Sequence, residues 1–384
     1  MPNTLKPIIL LTIAALLLAG RTQSATVTFA GARSSYYGAR PWPDNQEWGN
    51  ILLNMAAFFG DDCTPLAIWI VGGINQNSNS CMLEFPAEGR SYPKITFASN
   101  DKHEPILDYF DQIGARVILQ VESGDADILD CIDAVLGQYS HHPSVAGFGI
   151  DNEWYFVSQG EWGIPVTDDK ARAWDEKIKS YNPDYRLMLK HWETNRMPDT
   201  YRGTDNDMIF VNDAQGTNSF DEHCSYMARW ADYFAPCCAG VQTGYPNNES
   251  WWGNLDNPPK QIGEGVAARA GDTNQEIFIA WVDFSLRNSK IEGLLFDDIQ
   301  PTAIARSFAV APADRKPARW SKALSGAFAG PSHAGHSGYL RLLTANGRTV
   351  TVDPTHARLP AAAYVIEVVQ TNRRMSAVRG RAAQ

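Results

Sequence analysis

Val145-Ala146-Gly147-Phe148-Gly149-Ile150-Asp151-Asn152-Glu153-Trp154-Tyr155 is a short apolar run that ends in acidic, amide and aromatic side chains. The same texture recurs along the chain: apolar runs alternate with amphipathic helical stretches from residue 65 to 285, the pattern of βα units closing a parallel sheet. Reading outward from this run, strands are expected over Ala67 to Gly72, Lys94 to Ala98, Arg116 to Val121, Val145 to Glu153, Arg186 to Trp192, Met208 to Asp213, Gly240 to Gly244 and Ile277 to Phe284. Eight such strands predict a (β/α)8 TIM barrel. An open doubly wound sheet is the main rival, but Val71-Gly72-Gly73-Ile74-Asn75 lacks the G-x-G-x-x-G spacing of a phosphate loop.

The helices between these runs carry start and stop signals. Asn100 or Asp101 is positioned to cap a helix through His103 that Gly114 ends, and Thr167-Asp168-Asp169 opens another through Trp174 to Ser180. Asp125-Ala126-Asp127 reads as a helix N-cap, since it lacks the glycine and terminal glutamate of a calcium loop. His141-His142 before Pro143 lies at the wrong end of the barrel for catalysis and reads as loop structure.

The 384 residues exceed the roughly 250 of a barrel and leave room for an appendage. Four segments are expected. Residues 1–25 form a signal peptide: Lys6 precedes the apolar run Pro7 to Gly20, too short to span a bilayer, and small or polar residues follow near Ser24 and Ala25. Residues 26–300 hold the barrel, with a short helix over Ile51 to Phe59 covering its side. Residues 301–335, rich in Ala, Arg, Gly, Pro and Ser, form a linker, and 336–384 a small β-rich C-terminal module turning at Asn346-Gly347. The expected location is extracellular or cell-surface. Six cysteines in an exported chain predict one or more disulfides of undetermined connectivity, and their spacing lacks the repeated pattern of a zinc site. No metal or cofactor is expected.

A net charge of −10 argues against nucleic acid as a partner, because such binding draws on clustered Lys and Arg. Twelve Trp, 14 Tyr and 16 Phe suit either a large aromatic core or the stacking of sugar rings. The candidate site lies at the polar strand ends. Residues two apart on a strand share a face, which pairs Asp151 with Glu153, Gln120 with Glu122 and Trp281 with Asp283. Two carboxyl groups confined together in low dielectric repel, so one holds its proton near neutral pH while its neighbour stays charged, the division of labour that glycoside hydrolysis needs. Glu153 is the expected proton donor and Asp151 its partner. Gln120, Glu122, Lys190, Trp192, Asp213, Gln242, Tyr245, Trp281 and Asp283 are expected to line a carbohydrate subsite. Lys190 has a second reading as the neutralising partner of Asp151, Gln242 as a buried structural amide, His191 as a packed histidine, and Trp251-Trp252 as packing rather than sugar-stacking residues. The rival function is a non-catalytic carbohydrate-binding or adhesion barrel. No G-x-S-x-G elbow supports an esterase.

Ala146 to Trp154, ending D-x-E, resembles the strand-four signature of chitinase-type barrels, and Phe278-Ile279-Ala280-Trp281 resembles their strand-eight tryptophan. The family's earlier aspartates fall on Ala146 and Gly149 here. The resemblance implies that Glu153 is the general acid, that Asp151 positions a substrate acetamido group, and that Trp281 floors the central subsite. An alternative register leaves Glu153 in the orienting role. Leu340 to Arg348 with Leu359 to Ile366 resembles the C-terminal β-modules that sort some bacterial enzymes through type IX secretion, which implies secretion machinery as a partner.

Overall fold

The computed structural model of the protein describes residues 25–272, 274–301 and 303–308, together with three strands at 338–344, 349–352 and 363–370. The expected signal peptide, apart from its last residue, and most of the expected linker lie outside the described residues.

Ten strands precede residue 283: β1 Thr26–Ser34, β2 Thr64–Asn75, β3 Ser80–Leu83, β4 Ile95–Phe97, β5 Arg116–Val121, β6 Val145–Asp151, β7 Arg186–Lys190, β8 Ile209–Asn212, β9 Cys238–Thr243 and β10 Glu276–Val282. Their order is β1-β10-β9-β8-β7-β6-β5-β2-β3-β4, and a parallel pairing of β1 with β2 closes the eight-membered ring. This is the expected (β/α)8 barrel, with two strands assigned differently. The first ring strand is Thr26–Ser34, which the sequence reading passes over. The expected strand at Lys94 to Ala98 is β4, which pairs only with β3 outside the ring. β3 in turn folds antiparallel onto the overlong β2.

The helices are α1 Asn45–Ala57, α2 Glu104–Ile113, α3 Ile128–Tyr139, α4 Asp168–Tyr181, α5 Phe220–Phe234, α6 Glu249–Trp252, α7 Pro258–Ala267, α8 Ser289–Leu295 and α9 Ala303–Phe308. Several begin as their sequences direct. Asp44 and Glu47 make a reciprocal capping box on α1, Asp127 accepts from the Leu129 amide at α3, and Thr167 from the Lys170 amide at α4. Asp101 sits two residues before the His103 cap position and accepts from both the His103 and Glu104 amides. Gly114 ends α2 in the left-handed region, at φ 71°.

Two apolar clusters hold the barrel together. The smaller is the barrel interior: Leu66, Ile68, Ile118, Met188, Ile209, Val211, Cys238, Phe278 and Ala280, with Phe29 and Ala146 packed against them. The larger lies between sheet and helices and takes the alternate residues of the same strands, such as Val117, Leu187, Ile279 and Trp281. All six cysteines are buried free thiols, so the expected disulfide is not formed. They serve instead as small apolar fillers, Cys238 in the interior and the others mainly in the outer cluster. Burial pushes the Cys237 thiol up to about 11.

Near the C-terminus, β11 Gly338–Thr344 pairs antiparallel with both β12 Thr349–Val352 and β13 Ala363–Gln370. The expected Asn346-Gly347 turn falls outside the described residues, between two strands that do pair.

Candidate active site

The strand period of two carries each interior-facing row from apolar to polar at the C-terminal end of the barrel. On β5 the row runs Ile118, Gln120 and then Glu122; on β7 it runs Met188, Lys190; on β8 Ile209, Val211 and then Asp213; on β9 Cys238, Gly240, Gln242. On β6 the row reaches Asp151 through Gly149, where a Cβ would sit 2.5 Å from Met188 and 3.5 Å from Gln120. On β1 it runs Phe29, Gly31, Arg33. The polar ends therefore converge on one layer stacked on the apolar interior.

Lys190 is the centre of that layer. Its ammonium lies 2.9 Å from Asp151 Oδ2 and donates to Asp213 Oδ2, and all three residues are buried. Burial opposes the Lys190 charge, but Asp151 and Asp213 outweigh it and hold its pKa well above the ordinary value. Asp151 is pushed up to about 8 by burial, which Lys190 counters and the charges of Glu153, Asp213 and Glu122 reinforce. Glu153 sits on a 3-10 turn, Asn152–Trp154, directly after β6 and is only partly buried. Burial raises its carboxyl as well, against Lys190 and with help from Asp213 and Glu122. Both carboxyls therefore hold a proton more tightly than an ordinary carboxylate does.

A second set of polar groups closes the neighbouring arc. Glu122 accepts from the Tyr37 hydroxyl and from the Ile74 amide at 3.3 Å. Arg33 donates to Asp283 Oδ1 at 3.1 Å and to the Tyr37 hydroxyl, while the Ser35 hydroxyl donates to Asp283 Oδ2 at 2.8 Å. Gly38 is required here, since a Cβ would fall 1.8 Å from Asp283 Oδ2. Five carboxyl groups, Glu122, Asp151, Glu153, Asp213 and Asp283, thus share two fixed cations. That excess of negative charge at low dielectric is what keeps a proton in the cluster.

Several buried polar atoms of this layer make no hydrogen bond within the protein: both amide atoms of Gln120, Oδ1 of Asp151, Oδ1 of Asp213 and Oε1 of Gln242. Buried polar groups are nearly always paired, so five such atoms at one end of a barrel mark hydrogen-bonding capacity directed at something other than the chain itself. Gln242 also donates to the Tyr245 hydroxyl.

The other expected residues are placed as follows. Asp283 is in the layer but held by Arg33 and Ser35 rather than facing open space. Trp281 is fully buried and faces the helices, because its strand position alternates with the interior-facing Phe278 row; its indole N–H donates to Ser285 Oγ at 2.9 Å, and the ring packs on Gly244 and Trp252. It supports the site from behind and offers no face to a sugar. Trp192 follows the end of β7 and stacks on His191 at 4.2 Å, lining a shallow pocket with Tyr226 and Arg229 away from the carboxyl layer. His191 is packed: its Nδ1 accepts from the Glu193 amide and its Nε2 donates to the Trp162 carbonyl, and burial holds it down to about 4. Trp251 and Trp252 are buried, with indole donors on Thr217 O and Tyr245 O, which is the packing reading.

Sequence reasoning missed Arg33, Ser35 and Tyr37, which follow from the overlooked strand β1. Exposed aromatic surface near the site comes from Tyr36, Tyr37, Trp162 and Phe284. A cavity of about 250 Å³ opens beside the layer, between the ends of β1 and β2 and the starts of α1 and α2, walled by Tyr36, Trp42, Trp48 and Trp69 with Glu84 and His103.

The sequence matches no family model and no curated protein. Among solved structures, the chain is similar to one from Bacteroides thetaiotaomicron described as a "putative alpha-L-fucosidase", with TM-score 0.42, 13% sequence identity, and coverage of 79% of this chain and 99% of that one.

Proposed function

We propose that the protein is a secreted glycoside hydrolase acting on a poly- or oligosaccharide, with Glu153 as proton donor. The observation that carries this reading is the crowding of Glu122, Asp151, Glu153 and Asp213 around Lys190 at the C-terminal end of the barrel, where Glu153 alone of the four is partly exposed. A carboxyl with raised proton affinity and access to solvent is suited to protonate a leaving glycosidic oxygen. Asp151, bridged to Lys190, lies beneath it, where the D-x-E resemblance implies a group that positions a substrate acetamide. Gln120 and Gln242 have free hydrogen-bonding capacity for sugar hydroxyls or an acetamide. The three C-terminal strands are proposed as a sorting module for export.

A non-catalytic carbohydrate-binding barrel is the second reading, favoured by the near-complete burial of Glu122, Asp151 and Asp213. Digestion of a mixed-glycan panel, followed by the appearance of new reducing ends, separates the two. Hydrolysis is expected from the parent protein, and Glu153→Gln is expected to reduce turnover by roughly 10²–10⁴-fold, the range for losing a general acid. An unimpaired Glu153→Gln variant removes Glu153 from the reaction, and glycan binding without new reducing ends supports the binder.

A further inference from the structure

On the flank of the barrel, between the first turn of α2 and the loop before β6, two histidines and a glutamate converge. His141 and His142 precede β6, and Glu104 is the first residue of α2. Glu104 Oε1 lies 3.1 Å from His141 Nε2, and Glu104 Oε2 lies 3.3 Å from His142 Nε2. The ligand-capable atoms of the three residues all fall within 4.8 Å of one another.

The outer hydrogen bonds fix which ring nitrogens face inward. His141 Nδ1 lies 3.0 Å from the Gln138 carbonyl, and His142 Nδ1 lies 2.8 Å from Asp111 Oδ2; both oxygens can only accept, so both Nδ1 atoms carry hydrogen. In the neutral rings each Nε2 then presents a lone pair, and both lone pairs point at the oxygens of one carboxylate. His142 is fully buried at its side chain, and its Nε2 makes no hydrogen bond. Unless the rings carry a second proton towards Glu104, as the hydrogen bond between His141 Nε2 and Glu104 Oε1 allows, three acceptors face one another and need a positive centre between them.

We propose that Glu104, His141 and His142 form a binding site for a divalent first-row transition-metal ion, with zinc the best fit. Imidazole nitrogens and a carboxylate are zinc ligands, and ligands about 2.0–2.2 Å from a tetrahedral ion stand about 3.3–3.6 Å apart, close to the separations found here. Asp111 supplies the usual outer partner: its Oδ2 orients His142 while its Oδ1 accepts from the Ser144 amide at 2.9 Å, so the ring is anchored to the backbone entering β6. The ion would tie the start of α2 to the loop before β6. None of its three residues belongs to the carboxyl layer, so the role is structural and independent of the proposed hydrolysis.

The test uses the full chain without a histidine tag, stripped with EDTA and desalted. Zinc is titrated in competition with a chromophoric chelator, and the cobalt(II) form is examined for visible ligand-field absorption. One equivalent of zinc is expected to bind and to raise Tm. Glu104→Gln and His141→Ala, both at partly exposed side chains, are expected to weaken binding at least tenfold with the circular dichroism spectrum unchanged. Glu153→Gln, in the carboxyl layer, is expected to leave zinc affinity unchanged. Absence of saturable binding by the parent chain overturns the proposal, since the rings are then simply protonated against the carboxylate. Binding that survives both Glu104→Gln and His141→Ala, or that is lost with Glu153→Gln, overturns it equally.

Discussion

Lys190 carries more of the site's electrostatic balance than any other single residue. Two buried acidic groups contact it, and removing one member of a buried ion pair strands the rest, at a cost of about 3–5 kcal/mol. Lys190→Met is therefore expected to lower unfolding free energy by about that amount in urea titrations at neutral pH, with a smaller loss at low pH; equal loss at all pH values counts against the charge explanation. Asp151 and Glu153 have the opposite effect on stability. Both hold protons more tightly in the folded chain than in the unfolded one, because burial outweighs Lys190. The folded state thus binds more protons above the ordinary carboxylate range, and stability falls as pH rises through that range towards the value of about 8 at Asp151. Asp151→Asn should flatten this decline between pH 4 and about 8, measured as Tm against pH; a steeper slope in the variant would place the retained proton elsewhere. The acidic members of this cluster are legible in the sequence because alternation along a strand is a local rule that Asp151, Gln120 and Glu122 obey. The cationic half is less so. Lys190 as the neutralising partner of Asp151 is one of its two readings from sequence, but the pairing of Arg33 with Asp283 spans 250 positions and no local pattern announces it.

Trp281 shows how one alternation can be right about spacing and wrong about facing. Its strand was placed correctly, yet which set of alternate residues points inward depends on the neighbouring strands, and register pairs Ala280 with Gly31 and with Gln242 on the interior side. Trp281 consequently faces the helices. The turn after β9 is shaped to receive it: Gly244 has φ 90°, and a Cβ there would come 2.3 Å from the indole ring. Gly244→Ala combines backbone strain with a clash against an indole fixed by Ser285 and Trp252, and a loss of at least about 2 kcal/mol is expected in chemical denaturation. Since Tyr245 follows immediately and receives the Gln242 amide, glycan affinity should fall with it; loss of stability with unaltered affinity would separate the turn from the binding surface. β1 was missed for a different reason. Ala30, Gly31 and Ala32 are poor strand formers by composition, and the segment follows soon after the apolar run Pro7 to Gly20, so no turn signal sets it apart.

Those same small residues explain how the ring closes. Eight strands make a barrel only if the first lies beside both the second and the last, and β1 pairs in parallel with β2 and β10. At Gly31 the approach is so tight that a Cβ would sit 2.1 Å from the Leu66 carbonyl oxygen and 3.0 Å from Leu52 of α1. Backbone cannot yield as a side chain can, so the space reserved by glycine is part of the closure itself. The closure also sets the site: Arg33 lies two residues beyond Gly31 on the same face and reaches Asp283 at the end of β10, so the seam that seals the barrel delivers the second cation to the carboxyl layer. Gly31→Val is therefore expected to act on the molecule as a whole, lowering stability by about 3 kcal/mol or more through overpacking. The same substitution should displace Arg33 and so reduce hydrolysis even where the protein remains folded. Parallel measurement of the urea midpoint and of reducing-end release under folding conditions checks both effects. A destabilised variant that retains full turnover would show that the seam holds the barrel without positioning its chemistry.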